Sequence, residues 1–268
     1  MAENSIMSLE QLRDPNYAPP LIRAIPLGIQ HVLAMFVSNI TPAIIVAGAA
    51  GFGFGSNSSD FPELLYMVQM AMLFAGITTL LQTITFGPVG AGLPIVQGTS
   101  FSFIPIMVPL VAGRGVDALP VLFAGVFVGG LFHTFLGLFV RRIRLALPPL
   151  VTGLVIMMIG LSLIRVGIQY AAGGPESIGT PEYGSPLNWS VALLVVLVTL
   201  GLKFFGRGMI RVSAVLIGII VGYVYTILVG ILPIGAIAAS WESAAAFALP
   251  QPFKYGFEFS AAAIIGFC

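Results

Sequence analysis

The sequence has very little charge and almost no cysteine. Only 8% of its 268 residues are charged, 11 basic and 10 acidic, whereas a soluble domain carries about 25%. Together with a mean hydropathy of +1.04, this excludes a soluble globular protein. The net charge of +1 leaves no basic excess for binding a nucleic acid. The single cysteine, Cys268, excludes a disulfide framework and a cysteine-based metal cluster. The composition is typical of an all-α polytopic membrane protein.

The few charged residues divide the chain into apolar stretches. Because charge in hydrocarbon is costly, a charge-free stretch of about 20 residues or more marks a membrane span. There are six such stretches, and the one at 64–113 is long enough for two spans. The sequence therefore predicts seven spans, at 26–48, 62–86, 94–112, 118–140, 146–166, 187–205 and 212–232.

The loops between these spans give the orientation. If the N-terminus is cytoplasmic, eight of the 11 basic residues lie in cytoplasmic loops: Arg13, Arg23, Arg141, Arg142, Arg144, Lys203, Arg207 and Arg211. The positive-inside rule therefore predicts a cytoplasmic N-terminus. Residues 1–25 lack the apolar core of a signal peptide and are predicted to be a cytoplasmic tail. Residues 233–256 are predicted to be an external loop.

A further apolar segment begins near Phe257 and occupies 257–268. Its length is about half of what a span needs, and a free carboxylate in hydrocarbon is unfavourable. We therefore expect 257–268 to be the start of a truncated eighth span, and the chain to be a fragment.

The third predicted span is interrupted by glycine and proline. Its stretch 87–109 contains Gly87, Pro88, Gly90, Gly92, Pro94, Gly98, Pro105 and Pro109. A regular helix would lose a backbone hydrogen bond at each proline and be loosened at each glycine. We predict an extended piece to about Gln97 and a half-helix from Thr99 with a hydroxyl N-cap. The free N–H groups of such a half-helix can bind a polar ligand; the alternative is a proline-kinked helix.

Polar side chains concentrate in the first three predicted spans: Gln30, His31, Asn39, Thr41, Gln69, Thr78, Thr79, Gln82, Thr83, Gln97, Thr99, Ser100 and Ser102. Because polar groups in lipid need partners, we expect this set to face a cavity or other helices, with the later spans as scaffold. His31 is either a ligand donor or proton relay or a packing residue. His133 is predicted to be a packing residue.

Two glycine pairs, Gly125/Gly129 and Gly218/Gly222, predict close helix contacts. The sequence has no His or carboxylate cluster at metal-ligand spacing. It also has no catalytic dyad in its spans, so an enzyme is not expected.

Gln30-His31 in the first span and Gln97-Gly98-Thr99-Ser100-Phe101-Ser102-Phe103-Ile104-Pro105 in the third resemble the nucleobase-ascorbate transporters. This family, also called nucleobase:cation symporters, includes uracil, xanthine and uric acid permeases. Residues 26–36 and 216–223 also resemble its first and seventh spans.

The resemblance implies fourteen spans in two inverted seven-span repeats, of which this chain is the first. The third span would be part strand and part half-helix. Residues 26–140 would form core-domain spans 1–4, and 141–232 would form gate-domain spans 5–7. The core would move against the gate as an elevator.

The resemblance also implies a function, which is symport of a purine or pyrimidine base across the plasma (cell inner) membrane. It implies H⁺ or Na⁺ as the coupling ion, with no organic cofactor and no metal. The partners would be the base, the bilayer and a second copy of the chain in a homodimer. The substrate residues would be Phe101, Ser102, Phe103 and His31, supported by Gln30, Gln97, Thr99, Ser100 and Asn39. The family's main carboxylate would fall after Cys268, so this chain alone is expected to be inactive.

Two other readings remain open at the sequence level. A sulfate-permease-type anion transporter would share the architecture, although the Gln-His pair and the Phe-Ser-Phe junction argue against it. The other is an intramembrane enzyme or a structural membrane protein.

Overall fold

The computed structural model describes residues 20–54, 58–87, 89–146, 148–243 and 249–268. In these residues the chain forms α-helices and short 3₁₀ turns, with no β-strand, as the all-α prediction requires. The helices are α1 Leu21–Ala50, α2 Phe61–Ile84, α3 Ile104–Val111, α4 Leu119–Gly137, α5 Val140–Ala146, α6 Pro149–Ala171, α7 Pro186–Phe205, α8 Met209–Val212, α9 Ala214–Leu228, α10 Ile234–Ser243 and α11 Ala261–Phe267.

Five of the seven predicted spans correspond to helices that are long and apolar enough to cross a membrane. They are α1, α2, α4 with the turn before it, α6 and α7. The third and seventh predicted spans correspond to the shorter apolar helices Phe101–Val111 and α9. The prediction of an α-helical multi-pass membrane protein is therefore confirmed. No residue of α6 or α7 is fully buried, so both helices leave much of their apolar surface exposed.

The core is built where α1, α2, α3 and α4 meet. Its most buried side chains include Val46, Phe52, Ile104, Val111 and Leu119. Phe52 reaches this core because α1 ends in a Schellman motif, with Gly51 in the left-handed region at φ +95°. The Phe52 N–H donates to the Ala47 carbonyl at 3.0 Å, and the Gly51 N–H to the Gly48 carbonyl at 3.2 Å.

Both glycine pairs lie at close helix contacts, as predicted. A Cβ atom added at Gly129 would lie 2.6 Å from Phe267 Cβ in α11, and one at Gly125 would lie 2.7 Å from the Phe267 ring. A Cβ atom at Gly222 of α9 would lie 2.5 Å from Val195 Cγ2 of α7. The absence of a side chain therefore lets α11 pack on α4, and α9 on α7.

Several helix ends differ from the bounds predicted for the segments around them. Helix α1 begins at Leu21, within the predicted tail, of which residues 1–19 lie outside the described residues. The predicted loop 233–256 contains α10, which is too short to span a bilayer. The apolar segment expected near Phe257 becomes helical only at Ala261.

The third predicted span is broken, but not where expected. Residues 93–100, called here the extended segment, have no regular hydrogen-bonded structure and pair with no strand in the described residues. The half-helix, Phe101–Val111, starts with a 3₁₀ turn at Phe101 and becomes α3 at Ile104. It therefore begins at Phe101 rather than Thr99. The reason is that Ser100 is the N-cap: its ψ of 131° is extended, and its hydroxyl accepts a hydrogen bond from the Ser102 N–H.

Candidate functional site

The extended segment is held against α1 by Asn39. This side chain is 1% exposed, and its Oδ1 accepts a hydrogen bond from the Thr99 N–H at 2.8 Å. Its Nδ2 donates to the Ala71 carbonyl at 3.2 Å and lies 3.1 Å from Met72 Sδ, both in α2. One buried amide therefore joins α1, α2 and the extended segment.

The backbone of α1 takes part in the same contact. The Thr99 hydroxyl donates to the Asn39 carbonyl at 2.6 Å. Three residues further on, Pro42 has no N–H and cannot bond to the Ser38 carbonyl, which loosens the turn that carries Asn39. The helix thus offers a carbonyl to a segment outside it.

Thr79 of α2 provides a second attachment. Its Oγ1 accepts a hydrogen bond from the Gln97 N–H at 2.9 Å and donates to the Gln97 carbonyl at 3.4 Å. Sequence reasoning placed Thr79 in the polar set but not among the site residues. The signal was only that polar side chains concentrate in this span, and nothing local to Thr79 indicates which backbone it contacts.

Gly98, between the two attachment points, lies directly on α1. A Cβ atom there would be 3.2 Å from both Asn39 Oδ1 and Met35 Cε, which is tighter than an ordinary van der Waals contact. The glycine therefore allows the segment to approach close enough for the Thr99–Asn39 hydrogen bonds.

The start of the half-helix presents a neutral polar surface. Thr99, Ser100 and Ser102 are exposed, whereas Phe101 is half-buried against the core. Charged residues are absent from the whole of 64–113. Hydroxyl groups and a helix start are therefore the polar groups that this region offers to a ligand.

The ring of Phe103 packs between two other rings. It lies 5.7 Å from the His133 ring, edge to face at 84°, and 5.7 Å from the Phe267 ring. His133 Nδ1 is 2.7 Å from the Gly129 carbonyl of its own helix. Since a carbonyl can only accept, Nδ1 carries the proton. His133 thus packs directly against a predicted site residue, a contact that the sequence did not indicate.

His31 stands apart from the other predicted site residues. It precedes Asn39 by eight residues in α1, or about 12 Å along the axis. Its side chain is exposed and makes no hydrogen bond within the described residues. Gln30 is next to it in the helix, and its side chain lies outside the described part of the chain. The structure therefore brings together Asn39, Gln97, Thr99, Ser100, Phe101, Ser102 and Phe103, but not His31.

The described part of the chain contains no group of three or more His, Cys, Asp or Glu side chains that could hold a metal ion. The contact between Asn39, Thr79 and the extended segment is instead a purely neutral hydrogen-bond network. Such a site can recognise a small, flat, polar molecule through hydrogen bonds and ring contacts.

Known permeases match this chain over most of its length. The model of the Permease family (Xan_ur_permease) matches residues 23–268. The chain is 33% identical over 248 residues to the xanthine permease XanQ of Escherichia coli (strain K12), covering 90% of this chain and 51% of that protein. It is 33% identical over 234 residues to the uric acid permease PucJ of Bacillus subtilis (strain 168), covering 86% and 49%.

The xanthine permease XanP of Escherichia coli (strain K12) is 30% identical over 247 residues, covering 89% of this chain and 50% of that protein. The chain thus spans about half the length of the curated relatives it matches. No solved structure matches the chain at a significant level.

Proposed function

The chain belongs to the Permease family, and from this membership we propose that it takes part in moving a purine or pyrimidine base of the xanthine, uric acid or uracil type across the plasma (cell inner) membrane. The family and the relatives are permeases and not enzymes. The observation that carries the proposal is the neutral start of the half-helix, which Asn39 fixes to α1 and α2.

The chemistry of this surface suits a nucleobase. A flat heterocycle can stack on an aromatic ring, and its carbonyl groups can accept hydrogen bonds from N–H and hydroxyl donors. In the proposal the base contacts the Phe101 backbone, Ser102 and Phe103. Gln97, Thr99, Ser100 and Asn39 support these contacts. The sequence also assigns His31 to the base, with Gln30 in support, but His31 is exposed and lies apart from these residues along α1.

Cation coupling needs a group that changes its charge or binds the ion. The extended segment and the half-helix contain no carboxylate. Because the relatives are about twice as long as the match, we propose that a second half, equivalent to theirs, supplies this group for H⁺ or Na⁺. A homodimer would cover part of α6 and α7, whose residues are all at least partly exposed, and lipid would cover the rest.

An uptake experiment tests this function. We expect cells that lack their own base permeases to take up labelled xanthine, uric acid or uracil when they express this chain fused in frame to the second half of XanQ. The chain alone should give no saturable uptake. A correctly inserted fusion without uptake would contradict the proposed function, and saturable uptake by the chain alone would contradict the need for a second half. Competition by sulfate but not by bases would favour the sulfate-permease-type alternative.

We further propose that residues 26–140 move against 141–232 during transport. Besides the backbone bonds of the connection itself, where the Arg142 and Ile143 N–H groups donate to the Phe139 carbonyl, the described hydrogen bonds between these two ranges lie near the end of α1. The Tyr170 hydroxyl donates to the Ile44 carbonyl at 3.1 Å, and the Phe54 N–H donates to the Glu176 carboxylate. Away from these two places, the described residues of the two ranges pack without hydrogen bonds, which supports relative sliding.

Removing one of these hydrogen bonds should loosen the contact between the two ranges. Tyr170 and Ala171 line a cavity of about 360 Å³ between α1, α6, α7 and α9. In a Cys268→Ser background, Tyr170→Phe should raise maleimide labelling of Ala171→Cys about fivefold, the effect of one lost hydrogen bond. Tyr223→Phe is the matched control, because that side chain is 59% exposed. Equal labelling in Tyr170→Phe and Tyr223→Phe would show that the contact between 26–140 and 141–232 does not open when this hydrogen bond is lost.

A further inference from the structure

We propose that Thr79 is a positioning residue for the proposed base site. Its hydroxyl fixes Gln97, and through Gln97 it sets where the half-helix begins. The inference rests on the proposed function, since the position matters only if the half-helix binds a base.

The backbone of Gln97 is paired by one side chain. Extended backbone at membrane depth must have both its N–H and its carbonyl group hydrogen-bonded. In a sheet, a neighbouring strand supplies one partner for each. Here one hydroxyl oxygen does both, at 2.9 Å from the Gln97 nitrogen and 3.4 Å from its carbonyl oxygen. Thr79 therefore replaces a neighbouring strand at this residue.

The hydroxyl of Thr79 makes a different contact from those of the other threonines of α2. The Thr78 hydroxyl donates to the Phe74 carbonyl at 2.7 Å, and the Thr83 hydroxyl to the Thr79 carbonyl at 2.7 Å. Both contacts lie within the helix and are the ordinary ones for a helical threonine. The hydroxyl of Thr79 instead contacts a residue 18 positions away in sequence.

The two attachment points lie two residues apart in the extended segment. Gln97 is attached to α2 and Thr99 to α1. Residues two apart in an extended chain direct their backbone groups to the same edge. Both attachments, to α2 and to α1, therefore lie along the same edge of the segment. Two attachments fix both the position and the tilt of the segment, whereas one would leave it free to pivot about Thr99.

Loss of the Thr79 hydroxyl should therefore weaken base affinity without unfolding the protein, because the Asn39 contact persists. Thr79→Val removes the hydroxyl and keeps the side-chain shape. Thr79→Ser keeps the hydroxyl and should behave as the parent. Thr83→Val is the matched control, since it removes a hydroxyl that bonds only within the helix.

Two measurements test the proposal. In the 268-residue chain in membranes, with Cys268→Ser and Val96→Cys, Thr79→Val should raise maleimide labelling of residue 96 about fivefold, as expected for one lost hydrogen bond. Thr79→Ser and Thr83→Val should leave it unchanged. In the transporting fusion, Thr79→Val should raise the KM for xanthine by a similar factor with Vmax retained.

The outcomes separate this inference from the transport proposal. Unchanged labelling, or an equal response to Thr83→Val, would overturn the role of Thr79. Raised labelling with an unchanged KM would mean that Thr79 attaches the extended segment but does not position it for base binding. A labelling response in a fusion that neither binds nor takes up any base would leave the attachment intact and overturn the transport proposal.

Discussion

Replacing Asn39 with leucine should lower base uptake at least fivefold. Leucine is likewise branched at Cγ but removes the acceptor of the Thr99 N–H and the donor to α2. Removing one partner of these hydrogen bonds costs about 1–3 kcal/mol, which corresponds to a factor of about 5 to 150 in the population of the competent arrangement. The extended segment would then be held by Thr79 and by the Thr99 hydroxyl alone.

Ser38 offers the control for this substitution. It precedes Asn39 in α1, is exposed, and its hydroxyl donates only to the Met35 carbonyl of the same helix, at 2.9 Å. Initial rates of labelled xanthine uptake should therefore be unchanged in Ser38→Ala. Asn39→Asp, which keeps the acceptor and loses the amide donor, should be intermediate. Full uptake by Asn39→Leu, or the same loss in Ser38→Ala, would show that the amide does not hold the site.

A single methyl group at Gly129 should both destabilise the protein and disturb its site. In Gly129→Ala the new Cβ would lie 2.6 Å from Phe267 Cβ and 2.8 Å from the Phe267 carbonyl oxygen. Because one of these atoms belongs to the backbone, α11 as a whole must shift. Overpacking of this kind costs about 1–3 kcal/mol. The Phe267 ring packs on Phe103, so the shift also reaches the half-helix.

The adjacent glycine provides a matched comparison. A Cβ atom at Gly130 would have no atom within 4 Å, and alanine is intrinsically better than glycine inside a helix by about 1 kcal/mol. Thermal unfolding in detergent should therefore show a lower midpoint for Gly129→Ala and an equal or higher one for Gly130→Ala. Uptake should fall only in the first. Equal midpoints in the two variants would mean that α11 does not pack as described.

The elements that could be predicted from sequence depend on local rules. Charge-free stretches located α1, α2, α4, α6 and α7, because charge is excluded from hydrocarbon wherever the helices pack. Glycine and proline located the break before Phe101, since they weaken a helix regardless of its neighbours. The glycine pairs predicted close contacts but did not identify their partners, Phe267 and Val195.

The features that could not be predicted depend on contacts between distant residues. Asn39 and Thr99 are 60 positions apart, and Thr79 and Gln97 are 18 apart. No periodicity indicates which of several polar side chains meets which backbone group. Thr99 and Ser100 are both acceptable caps by residue type, and the hydrogen bond from Ser102 to Ser100 decides between them. The assignment of Phe101, Ser102, Phe103 and His31 to a base stays a prediction.

The length of α1 has a consequence for the lipid around it. Its 30 residues extend about 45 Å, whereas the hydrocarbon layer of a bilayer is about 30 Å thick. The helix must therefore tilt, bend at Pro42 or project beyond the hydrocarbon. Since Asn39 is part of this helix and holds the extended segment, the thickness of the membrane acts on the depth and angle of the half-helix. Bilayers of shorter or longer acyl chains would thus change the depth and angle of the half-helix without any change in the residues of the site.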